Sequence, residues 1–245
     1  MDTAKNILIV GAGHGIGLSF VTHLSQLYPH AQIFATYRNR DKANPLLNSQ
    51  LKREHIFNID PTVDEHIKKL ATDLADIKLD IIINCVGLLH NKEGLAPEKS
   101  LKDFSTDNFL EVMRVNTVVT PLLAKYFHKK LNPTKSYFVT LSAKVGSIED
   151  NRMGGWYAYR ASKSALNMVI KNIAIEFQRK RNNCVVLAIH PGTTKTDLSA
   201  PFIERTNYIL HTPDETAQNI VSLFHKMKVD DSGKFISWNG DELPW

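Results

Sequence analysis

A tyrosine and a lysine stand four residues apart in the segment YRASK, at 159–163. In a helix this spacing places Tyr159 and Lys163 on the same face. A lysine ammonium there favours the phenolate and lowers the pKa of the phenol toward neutrality, so the pair could exchange a proton with a substrate oxygen. Tyr157 has Ala161 four residues later, which excludes it from such a pair. Taken alone, the pair also fits a chance tyrosine and lysine on an amphipathic helix.

Ser142 lies upstream of the pair, where the apolar run SYFVTLS ends. A hydroxyl at the end of a strand can donate a hydrogen bond to a substrate oxygen and hold it near the phenol. Reduction of a carbonyl needs such donors together with a hydride, because negative charge grows on the oxygen as the hydride arrives. The three residues therefore predict carbonyl–alcohol chemistry that depends on a hydride-carrying cofactor.

A glycine-rich turn follows the first apolar run of the chain. Strand-like NILIV (6–10) leads into GAGHGIG (11–17) and then into an apolar helical pattern. Glycine allows backbone N–H groups and a helix N-terminus to approach a pyrophosphate closely. A flexible strand–helix loop is the alternative interpretation, but the position directly after the first strand favours dinucleotide binding.

The end of the second predicted strand distinguishes between the two nicotinamide cofactors. An acidic residue there would bind the adenosine ribose, whereas a basic residue would pair with a 2′-phosphate. The sequence ATYRNRDK places Arg38 and Arg40 there, with no acid before Asp41. Arg38 is the first choice, because a guanidinium binds phosphate through two hydrogen bonds. We expect NADP(H), with NAD(H) as the alternative; two arginines that merely solvate a loop are the other interpretation.

The elements that must position these residues alternate along the chain. Strands are predicted at 6–10, 32–37, 55–59, 80–84, 136–142, 184–190 and 234–238, and helices at 15–28, 62–75, 106–131, 157–180 and 213–227. This alternation is typical of a parallel sheet covered by helices on both faces. We therefore expect one α/β domain over residues 1–245, a Rossmann-type doubly wound parallel sheet.

Cofactor and substrate should lie at the carboxyl ends of the strands in such a sheet. Asp60 follows the third predicted strand and Asn84 ends the fourth. Both stand where adenine and its ribose would lie, and each could equally cap a helix or form a turn. Asp60-Pro61 is expected to open a helix, Pro191-Gly192 to close a strand, and Thr212 to cap the last helix.

Composition excludes several classes of protein. The chain has 245 residues, 43% of them hydrophobic and 22% charged, which is ordinary for a globular domain. Cys85 and Cys184 lie in apolar runs, so we expect reduced, buried thiols, no metal site and a cytoplasmic protein. No export signal or membrane span is expected. The net charge of +5 comes from scattered basic residues, the densest at 178–183 near a predicted helix end, which argues against nucleic acid as a partner.

Seven segments together resemble the short-chain dehydrogenase/reductase family over nearly the whole length. They are VGAGHGIG (10–17), NID (58–60), NCVG (84–87), VN (115–116), LSAKVGSI (141–148), YRASK (159–163) and HPGTTKTD (190–197). The resemblance implies a catalytic tetrad of Asn116, Ser142, Tyr159 and Lys163, with Asn116 supporting a proton relay from Lys163 to solvent. The predicted cofactor contacts are Gly11, Gly13, His14, Gly15, Ile16, Gly17, Arg38, Asp60, Asn84, Gly87, Tyr159, Lys163, Pro191, Gly192, Thr194 and Thr196. The segment 191–196 is expected to close over the nicotinamide.

The insertion SIEDNRMGGW before Tyr157 and the tail GKFISWNGDELPW resemble the branch of sniffer-type and C-factor-type carbonyl reductases. This implies a carbonyl or alcohol substrate, a substrate loop at about 193–212 and a tail at 239–245 that folds back near the active site. An apolar pocket is expected from 88–95, 144–157 and 198–210, with Leu89, Met153, Trp156, Phe202 and Trp245 among its residues. The family also implies a homodimer or homotetramer. The alternative function is that of a non-enzymatic NAD(P)-binding signalling protein of the C-factor kind.

Overall fold

The computed structural model describes residues 4–180, 182–204 and 209–245. Its strands are β1 (Asn6–Val10), β2 (Gln32–Tyr37), β3 (Ile56–Asn58), β4 (Ile81–Asn84), β5 (Ser136–Leu141), β6 (Cys184–His190), β7 (Thr193–Thr194), β8 (Leu210–His211) and β9 (Lys234–Ser237). Its helices are α1 (Gly15–Leu27), α2 (Asn44–Leu47), α3 (Asp64–Asp73), α4 (Thr106–Thr117), α5 (Val119–Phe127), α6 (Tyr157–Arg179) and α7 (Pro213–Phe224). All seven predicted strands are present, and the very short α2, β7 and β8 were not predicted.

Seven strands form one sheet in the order β3-β2-β1-β4-β5-β6-β9, while β7 pairs with β8 separately. Every neighbouring pair in the large sheet is parallel. The strand order changes direction between β1 and β4, which makes the carboxyl ends of these two strands the switch point where open α/β sheets bind ligands. The predicted doubly wound parallel sheet is confirmed.

Two helical layers cover the sheet, because successive residues of a strand face opposite sides. Ile7 and Ile9 of β1 pack into a buried cluster with α1 and α7. Leu8 and Val10 pack into a second cluster with α3, α5 and α6. Strands buried on both faces have continuous rather than alternating apolar sequences, which is why the continuous apolar runs of the sequence predict strands.

The predicted helix over 106–131 is wrong as a single element, since it divides at Val118 into α4 and α5 and helical structure of the α type ends at Phe127. Pro121 supplies the reason: it has no N–H to donate to the carbonyl of Thr117, and its ring crowds that carbonyl. The hydroxyl of Thr117 donates to the carbonyl oxygen of Ser162 at 3.1 Å. This hydrogen bond fixes the end of α4, which carries Asn116, against α6.

Two helix starts were predicted from capping patterns, with different outcomes. The start of α7 is confirmed: the N–H of Glu215 donates to the Thr212 hydroxyl at 3.2 Å, and the Thr212 N–H donates to the Glu215 carboxylate at 2.7 Å. Asp60-Pro61 does not open a helix directly, because the Asp60 carboxylate accepts from the Thr62 N–H at 2.9 Å and from its hydroxyl at 2.7 Å. This turn delays the start of α3 to Asp64.

Both cysteines are free thiols, and Cys184 is fully buried while Cys85 is half-buried. Burial raises the pKa of the Cys184 thiol to about 12. Among the helices that the structure describes, none combines the length and the apolar character needed to cross a bilayer.

Candidate active site

The glycine turn joins β1 to α1 at the switch point. The Gly11 N–H donates to the Thr36 hydroxyl at 3.1 Å, and the Ala12 N–H donates to the Thr36 carbonyl at 2.7 Å. Gly11 has φ of 82°, in the left-handed region that favours glycine. A Cβ on Gly17 would lie only 2.2 Å from the Gly11 carbonyl oxygen. The turn can therefore close only with glycine at position 17.

The N-terminus of α1 faces the space above this turn. His14 occupies the N-cap in an extended conformation without a capping side-chain hydrogen bond, and Ile16 packs against the core. A helix N-terminus offers unpaired N–H groups and a partial positive charge to an anion. A Cβ built on Gly15 would lie 3.5 Å from the Thr196 methyl group, so the segment after β7 closes against the same turn. Partial burial lowers the pKa of His14, the charge of Lys42 lowers it further, and Asp197 opposes both.

The residues predicted for the adenosine end lie together. Arg38 is exposed and directly follows β2. Burial raises the pKa of Asp60, but hydrogen bonds from Thr62 and the charges of Arg38 and Arg114 outweigh it, so the pKa is lowered overall. Asp60 is therefore an ionised turn-forming residue within the field of Arg38.

Asn84 and Gly87 lie on the segment that follows β4, next to the turn. The buried Asn84 donates to the Thr120 hydroxyl at 3.0 Å and accepts from the Val86 N–H at 3.1 Å. Its side chain thus shapes the segment, which agrees with the turn-forming alternative. A Cβ on Gly87 would stand 3.8 Å from both Asn116 Oδ1 and Lys163 Nζ. The glycine leaves space for a ligand group beside the lysine.

Tyr159, Lys163 and Ser142 meet at the carboxyl end of β5. Lys163 Nζ donates to the carbonyl oxygen of Leu141 at 3.1 Å and lies 5.7 Å from the centre of the Tyr159 ring. Leu141 is the last residue of β5, so Ser142 follows it at the carboxyl end of the strand. The space between this strand end, the segment after β4 and α6 is called the cleft. The spacing along α6 therefore does bring the phenol and the ammonium to one face.

Burial dominates the ionisation of this pair. Desolvation raises the pKa of Tyr159 well above its ordinary value and lowers that of Lys163 to about 8. The expectation that Lys163 brings the pKa of Tyr159 toward neutrality is wrong for the protein's own groups, because loss of water around the phenol outweighs an ammonium 5.7 Å from the ring centre. Tyr159 consequently keeps its proton at neutral pH, which is the form able to donate it.

Asn116 joins the segment after β4 to α6. Its Oδ1 accepts from the Leu88 N–H at 2.7 Å, and its Nδ2 donates to the Leu88 carbonyl at 2.9 Å and to the Ser162 hydroxyl at 2.9 Å. The amide is 1% exposed. Its side chain therefore holds two walls of the cleft together.

The segment after β6 contains the last predicted cofactor residues. Pro191 and Gly192 end the strand, and Gly192 has φ of 75°. A Cβ there would lie 2.9 Å from ring carbons of His211 and Trp238, so glycine is required by space as well as by conformation. The buried Thr194 hydroxyl contacts the Thr216 hydroxyl at 2.8 Å, which directs its side chain into the protein.

An apolar cluster surrounds the tyrosine on the predicted substrate side. Trp156 stands edge-on to Tyr159 and to Phe202, with ring centres 6.2 and 5.1 Å apart, and Leu89 belongs to the same cluster. Met153 does not join it, since it is 82% exposed. Residues 205–208 of the predicted substrate loop and pocket wall lie outside the described residues.

The tail folds back onto the segment that follows Ser142. The Trp245 carbonyl oxygen accepts hydrogen bonds from the N–H groups of Ile148 at 3.0 Å and Glu149 at 3.1 Å, and from the Ser147 hydroxyl at 3.0 Å. The indole itself stacks on Phe235 with ring centres 5.6 Å apart, away from the Tyr159 cluster. Trp245 therefore supports the cleft rather than lining it.

Sequence reasoning missed two residues that contact this site. Ser142 Oγ donates to Asn167 Oδ1 at 2.6 Å. The periodicity of α6 could have revealed Asn167, which follows Tyr159 and Lys163 at the same four-residue interval. Glu98 is also buried, and its carboxylate oxygens accept from the Ala158 N–H at 3.2 and 3.3 Å. No local pattern marks Glu98, because this contact joins residues that lie 60 positions apart in the chain.

An open parallel sheet with a glycine turn at its switch point, and a tyrosine–lysine pair beside a serine, defines the class of nicotinamide-dependent oxidoreductases. The family model for short chain dehydrogenases matches residues 5–207. The chain therefore belongs to the short-chain dehydrogenase/reductase family, whose members act on CH–OH or C=O groups.

Individual relatives agree with this assignment. The chain is 28% identical over 244 residues to 1-hydroxy-2-glutathionyl-2-methyl-3-butene dehydrogenase from Rhodococcus sp., covering 98% of this chain and all of that protein. It is 26% identical over 181 residues to C-signal from Myxococcus xanthus, covering 73% of this chain and all of C-signal.

Two solved structures share the fold across the whole molecule. An NADPH-bound carbonyl reductase from chicken fatty liver has a TM-score of 0.86 and 25% identity, covering 100% of this chain and 96% of that one. The carbonyl reductase Sniffer of D. melanogaster has a TM-score of 0.83 and 26% identity, covering 99% and 100%.

Proposed function

We propose that the protein is an NADP(H)-dependent carbonyl reductase. The observation that carries the proposal is the meeting of Tyr159, Lys163 and Ser142 at the end of β5, beside the space at Gly87. The likeness to two carbonyl reductases supports this reaction, and one of the two is NADPH-bound. The apolar cluster of Leu89, Trp156 and Phe202 favours an apolar carbonyl compound.

Ser142, Tyr159 and Lys163 each have a separate role in the proposed reduction. A bound nicotinamide supplies the hydride to the carbonyl carbon. Ser142 donates a hydrogen bond to the carbonyl oxygen and holds it near the phenol, where negative charge develops. Tyr159 gives its proton to that oxygen, because the phenol is protonated at neutral pH. Lys163 stabilises the resulting phenolate by its charge and, through its remaining donors, holds the nicotinamide ribose.

The cofactor fits the residues along the switch point. The N-terminus of α1 would take the pyrophosphate, because the glycine turn exposes its N–H groups there. Arg38 would pair with the 2′-phosphate, and Asp60 would contact the adenine. The segment 191–196 would cover the nicotinamide, consistent with the approach of Thr196 to Gly15. The whole of 1–245 is proposed to act as one domain, with 193–212 as its substrate loop.

A turnover assay with two tyrosine variants tests the function. Purified protein is mixed with NADPH and a panel of aldehydes, quinones and diketones, and loss of reduced-nicotinamide absorbance is followed. Tyr159→Phe should abolish the loss. Tyr157→Phe is the matched control, because Tyr157 is two residues earlier, 36% exposed and without a lysine at the required spacing, and it should keep turnover. Equal rates for wild type and Tyr159→Phe across the panel would reject the mechanism.

Assembly into a homodimer is proposed through α4 and α6. Both helices contribute exposed apolar side chains, with Leu110 58% and Met168 63% exposed. Exposed apolar side chains on these two helices favour an interface with a second copy. Light scattering should give twice the mass calculated from the sequence, and Met168→Glu should return the monomer.

A second candidate function is signalling through cofactor occupancy. The similarity to C-signal is the observation that favours it. Tight NADPH binding, with no turnover of any carbonyl in the panel and with Tyr159→Phe binding as tightly as wild type, would favour this candidate over the reductase. The Tyr159–Lys163 pair argues against it, because a pure binding protein does not need an acid beside the substrate.

A further inference from the structure

The Ser142 hydroxyl has a partner inside the protein. It donates to Asn167 Oδ1 at 2.6 Å, and each of the two residues is 3% exposed. The other end of the same amide, Nδ2, is buried and makes no hydrogen bond within the described part of the chain. An unsatisfied buried donor costs free energy. An arrangement in which Nδ2 finds an acceptor would remove that cost.

A hydroxyl has one proton to donate. While Ser142 gives that proton to Asn167, it can only accept a hydrogen bond from a substrate. A carbonyl oxygen offers no proton and needs a donor, so Ser142 cannot hold a carbonyl in this arrangement. It can hold an alcohol, whose own O–H donates to the serine oxygen.

Rotation of the amide by half a turn reverses these roles. Nδ2 then takes the place of Oδ1 and donates to Ser142 Oγ, which satisfies the buried donor. The serine proton is released and can point at a substrate oxygen. Both arrangements require a side chain whose donor and acceptor atoms lie at the same distance from the backbone. Asparagine has the smallest amide side chain that meets this requirement.

We propose that Asn167 is a positioning residue that sets the direction of the hydrogen bond between Ser142 and the substrate. The amide donates to Ser142 when a carbonyl is bound and accepts from Ser142 when the alcohol is bound. No covalent bond forms or breaks in this exchange, since only the serine proton changes the oxygen to which it points. The inference rests on the proposed role of Ser142.

The Asn167→Asp variant removes one of the two arrangements. A carboxylate has nearly the same shape but only accepts, so it retains the serine proton. We expect kcat for carbonyl reduction to fall by about tenfold or more near neutral pH, approaching the order of 10² that loss of one oxyanion donor costs. The dissociation constant for NADPH, measured by fluorescence titration, should stay at the wild-type value.

The pH profile separates this role from a structural one. Protonation turns the new carboxyl group into a donor, and burial moves its pKa upward. The ratio of variant to wild-type kcat should therefore rise as the pH falls. A ratio that is constant with pH, a wild-type kcat, or a loss of kcat that follows a loss of NADPH binding would overturn the proposal.

Further variants keep the test decisive. If Asn167→Asp does not fold, Asn167→Leu avoids the buried charge and removes the acceptor that retains the serine proton. It should keep kcat for carbonyl reduction near the wild-type value and lower kcat for oxidation of the alcohol, and a loss of reduction like that expected for Asn167→Asp would overturn the proposal. Asn172→Asp, the same change at an exposed asparagine of the same helix, is the control and should behave as wild type. Ser142→Ala distinguishes the two levels of failure. Wild-type turnover in Ser142→Ala would reject the proposed role of Ser142 and this inference with it, whereas loss of carbonyl reduction in Ser142→Ala beside normal reduction in Asn167→Asp would reject the inference alone.

Discussion

The ammonium of Lys163 donates a hydrogen bond to the carbonyl oxygen of Leu141 across 3.1 Å. Because Leu141 ends β5 and Ser142 follows it, this bond joins α6 to the strand end that carries the serine. The bond uses one of the three donors of the ammonium, so donors are left for a ligand. The position also buries the lysine, which is 3% exposed and has its pKa lowered to about 8.

Replacing this lysine is expected to stabilise the protein while removing its activity. The folded-state pKa of about 8, against 10.5 for an unburied lysine, means that the folded form disfavours the charge that the unfolded chain carries at pH 7. This pKa difference corresponds to a cost of about 3 kcal/mol for burying the charged lysine, which the replacement removes. The replacement also loses the hydrogen bond to Leu141, which offsets about 1 kcal/mol of that gain. Lys163→Met should therefore raise the free energy of unfolding by about 1–3 kcal/mol in urea titrations near neutral pH.

The sign of the pH dependence gives a check on that cause. Between about 8 and 10.5 the unfolded chain binds more protons at Lys163 than the folded form does, so wild-type stability rises with pH in this window. The advantage of Lys163→Met should shrink over the same window. A variant that is less stable than wild type at neutral pH, or whose advantage does not change with pH, would contradict the explanation.

Carbonyl reduction should decline on the alkaline side with an apparent pKa near 8. Loss of the Lys163 proton removes the charge that stabilises the phenolate, whereas Tyr159, whose pKa is raised by burial, is still protonated there. The measurement is kcat/KM for reduction from mildly acidic pH to about pH 10. Lys163→Arg should move the decline to higher pH, because a guanidinium keeps its proton throughout. If the alkaline decline in kcat/KM is unchanged in Lys163→Arg, a group other than Lys163 causes the decline.

The sequence was sufficient for the features that depend on local spacing. The strands, the glycine turn and the pairing of Tyr159 with Lys163 each follow from residues close together in the chain. The burial of Tyr159 could not be derived from the local sequence. This burial reversed the expected direction of the Tyr159 pKa shift. Tertiary contacts could not be derived from the local sequence either, since the contact of Glu98 with Ala158 joins separate segments. Trp156 adopts φ of 51°, which nothing in its neighbouring sequence indicates.

Arg38 is expected to decide the choice of cofactor. It is exposed at the end of β2, near the ionised Asp60, and a 2′-phosphate there would form charge-assisted hydrogen bonds with its guanidinium. Arg38→Ala should weaken NADPH binding by about 10- to 100-fold, which corresponds to the loss of about 1.5–3 kcal/mol for hydrogen bonds to a charged group. NADH binding should change little. Fluorescence titration with both cofactors measures the two dissociation constants.

Arg40→Ala is the matched control for this prediction. Arg40 is also exposed in the same loop and precedes the short turn at Asp41–Ala43. It should leave the preference for NADPH over NADH close to that of wild type. If Arg40→Ala abolishes the preference and Arg38→Ala does not, the phosphate ligand has been assigned to the wrong arginine.

Glu98 is expected to fix the wall of the cleft beside Tyr159. Its carboxylate accepts from the Ala158 N–H in the first turn of α6, and its carbonyl accepts from the Trp156 N–H at 2.6 Å. A buried carboxylate is stabilised there because the unpaired N–H groups of a helix N-terminus carry a partial positive charge. The two bonds together hold Trp156 in its left-handed conformation, with its ring edge-on to Tyr159.

Glu98→Gln keeps the size of the side chain and removes the charge. It should lower the free energy of unfolding by about 1–2 kcal/mol, and raise KM for the carbonyl more than the dissociation constant for NADPH, because Trp156 lies on the substrate side. Glu93→Gln is the control, since Glu93 is exposed in the same segment. Urea titration and steady-state kinetics measure the two effects. Equal stability and equal KM in the two variants would show that the charge of Glu98 does not position the start of α6.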